Sequence, residues 1–378
     1  GGSAQTIFDL TNGFAVTCAA PAVAAPTGYG TVRQLTTAVA AGYVKITSGT
    51  ASSSSQGNTS YADSTFPGVG FRFVATCDVI KIFAYCNGKK IRLTIDGVDE
   101  SSPVTLPSTS KWQWVTVKSG IGAASAQTYR ITAGSESVIF FAVMATGGTE
   151  ISTSTLAALP VWAFYGDSIT NGQIGTSNDE TLAHPHLIAI NQGVGYIASG
   201  RSSTTLKNYG SGGAHVTTQS GETRVAEVTA IDPDAYVVLY GVNDAANVGG
   251  TIDAAAFRTS AETMLTSLAA TGPTKIYVLG ILNTTNATAT TNRTAYNTAL
   301  SDAVTAVGSP CQYISTDGWI TPAGADCSDG LHPTATGYDK IKTAFLAAIT
   351  VSSSAADHVV FGRRPGFGVG DGQSINIG

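Results

Sequence analysis

Between Gly70 and Ala145, apolar and polar positions alternate over five short stretches, Phe71–Thr76, Val79–Tyr85, Ile91–Ile95, Trp112–Val117 and Tyr129–Ala133, and a sixth, Val138–Ala145, is the chain's longest apolar run. A strand turns successive side chains to opposite faces, so this alternation predicts strands buried on one side. The turn pairs Asn87–Gly88 and Asp96–Gly97 separate them, and no helical period intervenes. That is the pattern of an antiparallel, jelly-roll-like β-sandwich. Upstream, residues 1–60 mix weakly apolar pieces with runs such as Ala19–Pro26 and Ser52–Ser55, which read as loops and short edge strands. Trp112 and Trp114 share one face of their strand; core packing is the stronger reading of the pair, and a sugar-stacking platform the weaker.

After the small-residue stretch Gly147–Leu159 the rhythm changes to strand and helix in turn. Strands are expected at Val161–Tyr165, Thr205–Tyr209, Ala235–Tyr240, Lys275–Leu282 and Gln312–Ser315. Helices are expected around Pro185–Ala198, Gly221–Ala230, Ala254–Ala270, Arg293–Val307 and Ala335–Ile349. In Ala254–Ala270, residues Phe257, Ala261, Met264, Leu265 and Leu268 fall at helical spacing behind Asp253, a good N-cap. Such alternation implies an α/β domain: a parallel five-stranded sheet with helices on both faces and a site at the carboxyl ends of its strands. The expected organisation is a sandwich over 1–148, a linker over 149–160, the α/β domain over 161–350 and a Gly-rich tail over 351–378.

Candidate chemistry sits at those strand ends. Val161–Tyr165 runs into Gly166–Asp167–Ser168, a tight turn that could present a nucleophile. Gly213, at the end of Asn208–Gly213, could offer an unobstructed backbone N–H to a developing oxyanion. Asn243, in Gly241–Asp244, carries a neutral amide donor. Asp329 and His332 are three residues apart in a turn, so the carboxylate can hold one imidazole nitrogen while the other works as a base. Singly, each has a plain structural reading: Gly, Asp, Ser and Asn form turns for local reasons, and Asp-x-x-His is a common capping turn. Together they supply the nucleophile, base, orienter and oxyanion donors that ester cleavage by a serine requires.

The segments FYGDSIT (Phe164–Thr170), NYGSGG (Asn208–Gly213), YGVND (Tyr240–Asp244) and DGLHPTATGY (Asp329–Tyr338) resemble, in order, the four blocks of the GDSL-type esterases, also called SGNH hydrolases. The resemblance covers residues 161–349. It implies a flat three-layer, flavodoxin-like α/β/α domain without metal or cofactor. It implies Ser168 as nucleophile, His332 as general base, Asp329 as its orienter, and an oxyanion hole from the N–H groups of Ser168 and Gly213 with the Asn243 side chain; a one-residue slip to Gly212 stays open. A sandwich ahead of such a domain is similar to the layout of two-domain bacterial carbohydrate acetylesterases. Asp167, His215 and Trp319 are candidates to touch substrate, Asp167 having also the local task of holding its turn. His184 and His186, flanking Pro185 at a helix start, read as surface or capping residues.

Composition narrows the partners. The 378 residues are 43% hydrophobic and only 12% charged, with a formal net charge of −5 and no basic run longer than the pairs Lys89–Lys90 and Arg363–Arg364. Nucleic acid and an anionic membrane surface are therefore not expected as partners, and a neutral ester, acetylated carbohydrate foremost, is. No apolar run is long enough to span a bilayer, and residues 1–20 lack a signal-peptide pattern. Abundant Gly, Ser, Thr and Ala nonetheless point to a secreted chain. Five cysteines show no Cys-x-x-Cys spacing. A Cys311–Cys327 disulfide, closing the loop ahead of Asp329, is expected, with buried free thiols as the alternative. Gly193–Ala198 fits a dinucleotide pattern on paper but follows no predicted strand, and the Gly-x-Ser-x-Gly elbow is absent. Two rival readings stand beside a short-chain serine esterase: a lipase or thioesterase for longer acyl chains, and a glycan- or host-binding protein that uses the fold as a scaffold.

Overall fold

The computed structural model describes residues 70–146 and 160–353, except positions 101, 123, 134–139, 176, 180, 230–231 and 252, together with two N-terminal strands, β1 (Gln5–Asp9) and β2 (Phe14–Cys18). The connector Gly147–Leu159 and the tail after Ser353 lie outside the described residues.

The alternating region forms β3 (Gly70–Ala75), β4 (Val79–Asn87), β5 (Lys90–Ile95), β6 (Val98–Asp99), β7 (Val104–Thr105), β8 (Ser108–Lys118), β9 (Gln127–Ala133) and β10 (Phe140–Thr146). They make two antiparallel sheets, ordered β2-β1-β10-β4-β8 and β3-β9-β5-β6. Ile80, Ile82 and Ala84 from the first sheet pack with Phe73, Ile91, Leu93, Tyr129 and Ile131 from the second in one buried cluster. The period-two pattern thus supplies one face of each sheet to a shared core. Trp114 is half-buried on β8; the Trp112 side chain lies outside the described residues.

The second region contains β11 (Val161–Gly166), a hairpin of β12 (Gln173–Ile174) and β13 (Ser177–Asn178), α1 (His184–Gln192), β14 (Gly195–Gly200), α2 (Gly221–Thr229), β15 (Ala235–Leu239), α3 (Val242–Ala245), α4 (Ala254–Ala269), β16 (Lys275–Leu279), α5 (Ala287–Val307), β17 (Cys311–Ile314) and α6 (Ala335–Ser353). The five-stranded sheet is parallel throughout, ordered β14-β11-β15-β16-β17. Asp253 caps α4 as expected, accepting the Ala256 N–H, and Phe257, Met264, Leu265 and Leu268 are buried beneath it.

Two sequence expectations fail here. The stretch Pro185–Ala198 is not one helix: α1 ends at Gly193, whose φ of 64° is the left-handed cap conformation, and the chain re-enters as β14. All six β14 residues are buried, so the strand has no polar alternation to separate it from a buried helix. Thr205–Tyr209, read as the second strand, is an anchored loop; its Thr205 and Leu206 are buried because the loop is tied down, not because it enters the sheet.

The two regions touch through polar groups. Lys90 pairs with Asp179, and an Arg92 Nη donates to the Thr181 carbonyl at 3.0 Å. His186 lies between Asp99 (Nε2 to Oδ2, 2.9 Å) and the Tyr196 hydroxyl (3.0 Å). His184 stacks on Tyr338 with ring centroids 6.0 Å apart. Both histidines are fully buried, which corrects their reading as surface residues; burial pushes His184 down to about 3, so it is neutral. The expected Cys311–Cys327 disulfide is not formed: both are free thiols. Cys311 opens the edge strand β17 opposite Ile276, whereas Cys327 bridges to Pro333, so each is committed to a different neighbour. Burial raises both thiols to about 11.

Candidate active site

The turn carrying Ser168 is set by close packing at the end of β11. A Cβ on Gly166 would lie 2.1 Å from Thr170 Oγ1 and 2.5 Å from the Leu239 carbonyl oxygen, so only glycine lets the chain fold back against β15. Backbone bonds then close the turn: Asn171 N–H to Asp167 O (3.1 Å), Gly172 N–H to Ile169 O (3.2 Å) and Gln173 N–H to Ser168 O (3.0 Å). Asp167 is 1% exposed and its carboxylate accepts the Ile169 N–H at 3.0 Å. It holds the turn from inside, the local task expected of it, and is not presented to solvent. Burial raises its carboxyl to about 7, against the bond from Ile169.

Asp329 and His332 lie in the loop before α6. Gly330 between them has φ of 78°, and its carbonyl accepts from the Thr285 N–H (2.8 Å) and the Thr284 hydroxyl (3.0 Å), which pins the loop to the end of β16. Asp329 Oδ1 accepts the backbone N–H of Leu331 (2.9 Å) and His332 (2.7 Å), and Oδ2 lies 2.6 Å from His332 Nδ1. Burial alone would raise the Asp329 carboxyl, but these bonds outweigh it and hold the group below the ordinary carboxylate range. An ionised carboxylate only accepts, so Nδ1 carries a proton, and in the neutral ring Nε2 keeps its lone pair. Nε2 is 2.9 Å from Ser168 Oγ, within reach of its hydroxyl proton.

Asn243 stands on α3, 8% exposed, with Nδ2 donating to the Thr204 carbonyl at 2.9 Å. A carbonyl oxygen can only accept, so this bond fixes which way the amide faces. Asp244, fully buried, accepts the Leu206 N–H at Oδ2 (2.7 Å) and the Lys207 N–H at Oδ1 (3.1 Å). Burial pushes its carboxyl up to about 7, opposed by these two bonds. Gly213 caps a 3-10 turn at Ala214–Val216 with φ of 103°, is exposed, and is followed by the half-buried His215. Among the described residues, neither the Ser168 nor the Gly213 N–H donates to an acceptor. Trp319 is partly buried against the α/β core.

The structure therefore joins Ser168, His332 and Asp329 by direct contacts. It sets Asn243 on a neighbouring strand end, and pins the turn after Gly213 to the Thr204–Tyr209 loop through Thr205 N–H to His215 O (3.4 Å) and Tyr209 N–H to Val216 O (2.8 Å). Sequence reasoning missed Thr204, Thr284 and Thr285, which act wholly or partly through backbone groups, and Tyr338, whose hydroxyl lies 3.0 Å from the carbonyl oxygens of Ile169 and Gln173. Tyr338 ends the DGLHPTATGY block, the one signal that could have found it.

The parallel α/β/α domain gathers these segments at the carboxyl edge of its sheet, where open α/β folds place their sites. Residues 164–340 match the GDSL-like lipase/acylhydrolase family. The chain carries a domain of that family and is a carboxylic ester hydrolase. No curated protein matches the sequence. Solved structures of similar fold include a family two carbohydrate esterase from Clostridium thermocellum in complex with cellohexaose (TM-score 0.60, 16% identity, covering 77% of this chain and 94% of that one). A family 2 carbohydrate esterase with a carbohydrate-binding domain from Corynascus thermopiles is also similar (0.59, 20%, 77% and 95%). So is the acetyl xylan esterase Est2A from Butyrivibrio proteoclasticus (0.58, 12%, 76% and 91%). A coverage of 76–77% is more than the α/β domain alone makes up of the chain; at these identities the likeness is one of fold.

Proposed function

We propose that this protein is a serine esterase that removes short acyl groups, acetyl foremost, from a carbohydrate. The observation that carries the reading is the continuous contact from Ser168 Oγ through His332 to Asp329, beside an inward-held amide and two uncommitted backbone N–H groups. In this reading His332 Nε2 takes the Ser168 proton as the hydroxyl oxygen attacks the ester carbonyl. The tetrahedral oxyanion receives hydrogen bonds from the N–H groups of Ser168 and Gly213 and from Asn243. The imidazolium, held by Asp329, then protonates the departing sugar oxygen, and water repeats the sequence on the acyl-enzyme.

The fold-level likeness to structures described as carbohydrate esterases, one holding cellohexaose, supports a carbohydrate substrate. The low charge supports a neutral one. A secreted location and the division near residues 149–160 belong to the same reading; among the described residues no helix is long and apolar enough to cross a membrane. Trp319 and His215 are the side chains proposed to line the substrate's approach. The test is hydrolysis of p-nitrophenyl esters of increasing chain length beside acetylated polysaccharides, with Ser168→Ala as control. Highest kcat/KM on acetyl, with acetate released from the polymer, is expected. A rate that climbs with acyl length would favour a lipase or thioesterase, and no turnover of any ester would favour a binding scaffold.

A further inference from the structure

The buried residue next to Asn243 has no place in the acyl-transfer scheme, yet it is bonded on both oxygens. Asp244 is fully buried on α3, and each carboxylate oxygen accepts one backbone N–H, from Leu206 and from Lys207. Those two residues continue directly from Thr204, whose carbonyl receives the Asn243 amide. Thr204, Thr205 and Leu206 are themselves buried. Two further backbone acceptors of the loop are used by α2, Gly221 N–H to Thr205 O (2.8 Å) and Glu222 N–H to Leu206 O (3.0 Å), and the Lys207 carbonyl accepts the Thr205 hydroxyl (2.7 Å).

We propose that Asp244 is a positioning residue for the oxyanion hole: by gripping the Leu206 and Lys207 N–H groups it fixes the Thr204 carbonyl, and through that carbonyl it orients the Asn243 amide. This rests on the reading of Asn243 as an oxyanion donor. The geometry closes a small ring. Asn243 and Asp244 are adjacent on α3, Thr204 and Leu206 are two apart in the loop, and the two side chains each bond the loop once or more. An amide has two hydrogens on Nδ2. With one committed to Thr204, the direction of the other is set by where the Thr204 carbonyl stands. An oxyanion donor gives its benefit only if its direction is fixed before the charge forms, because reorientation during the reaction would consume the gain. A side chain hinged at Cβ cannot fix that direction alone; its partner carbonyl must also be immobile. The Asp244 grip meets that requirement, and because a carboxylate offers two acceptors in one plane, asparagine is not a neutral replacement. Its amide would turn an N–H₂ toward one of the two backbone donors.

The test is a double-mutant cycle on kcat for p-nitrophenyl acetate, in the full chain, with Asp244→Asn, Asn243→Ala and the pair. Asn243→Ala alone examines the underlying reading and is expected to lower kcat by about 10²–10³-fold. Asp244→Asn is expected to lower kcat by about 10–100-fold with KM nearly unchanged, since the lost interaction exists only in the transition state. In the Asn243→Ala background, Asp244→Asn should cost less than about twofold, because the amide it orients is gone. Glu222→Gln serves as the contrast. Glu222 accepts the Asn208 N–H farther along the same loop, toward Gly213, so its effect should multiply with that of Asn243→Ala. If Asp244→Asn does not fold, Asp244→Glu, which keeps two acceptor oxygens, enters the same cycle and should show a smaller loss that again vanishes without Asn243. Effects of Asp244 that multiply with Asn243→Ala, a loss that falls on KM, or failure of both Asp244 variants to fold would assign the residue to general stability and overturn the proposal. If Asn243→Ala is fully active, the oxyanion reading itself fails, a result separate from the cycle.

Discussion

Gly330→Ala is a one-carbon change whose cost can be worked from the structure. Gly330 has φ of 78°, a conformation that adds about 1–2 kcal/mol for an L side chain. Its new Cβ would stand 1.9 Å from Thr285 Oγ1, 3.0 Å from Thr285 Cβ and 3.1 Å from Cγ2. Rotating Thr285 about χ1 removes the first contact but not the second, so the loop must yield, at the roughly 1–3 kcal/mol typical of overpacking. The sum is about 2–5 kcal/mol, or a fall in melting temperature of roughly 5–15 °C for a domain of this size. The displaced segment carries Asp329 and His332 at 2.6 Å from each other and His332 at 2.9 Å from Ser168. A shift of about 1 Å there is expected to reduce kcat about 100-fold. Thermal unfolding followed by circular dichroism and p-nitrophenyl acetate kinetics measure the two effects. Gly330→Ala combined with Thr285→Gly removes the clash but leaves the backbone strain, so it should recover part of the stability and most of the rate. A Gly330→Ala enzyme as stable and active as the parent would refute the reasoning, and complete recovery of stability in the pair would refute the strain component.

Other outcomes follow from the same contacts. Tyr338→Phe removes a buried hydroxyl from the Ile169 and Gln173 carbonyl oxygens and should cost about 1–3 kcal/mol in denaturant unfolding, with a loss of kcat because the Ser168 turn loosens. Phe257→Ala, at 0% exposure beneath α4, should cost about 3–5 kcal/mol with kcat of the folded fraction unchanged. Acid should weaken the contact between the two regions. Burial would raise Asp99 and Asp179, but His186 and Arg92 beside Asp99, and Lys90 and Thr181 beside Asp179, outweigh it and hold both carboxyls below their ordinary range. A depressed folded value gives stability that is present above the unfolded carboxylate value of about 3.9 and is lost as pH falls through the lower folded values. The melting temperature should therefore drop below about pH 4, and Asp179→Asn should flatten that dependence.

Much of the site was legible because its chemistry is written in side chains at short spacing. Asp329 and His332 are three residues apart and do meet, and Ser168 follows an apolar strand as expected. Strands with alternating burial, and the helix bearing Phe257 and Leu268, were legible for the same reason: their period survives in the sequence. What escaped had no such trace. β14 is buried on both faces and reads like the helix before it, with only Gly193 marking the break. The Thr205–Tyr209 loop has a strand's composition because it is buried by tethers to Asp244 and α2, partners 14 or more residues away. Thr204 acts through its carbonyl, which any residue could supply. The Cys311–Cys327 pairing rested on loop closure alone, which says nothing of what each cysteine packs against.

In the proposed mechanism Ser168, activated by His332, is acylated during turnover. Its most direct test is the intact mass of the enzyme after reaction with a fluorophosphonate, followed by peptide mapping. A single adduct on Ser168, formed much more slowly in His332→Ala and absent from an inactive Ser168→Ala, is the predicted result. An adduct on another residue, or a Ser168→Ala enzyme that still hydrolyses p-nitrophenyl acetate at the parent rate, would contradict it.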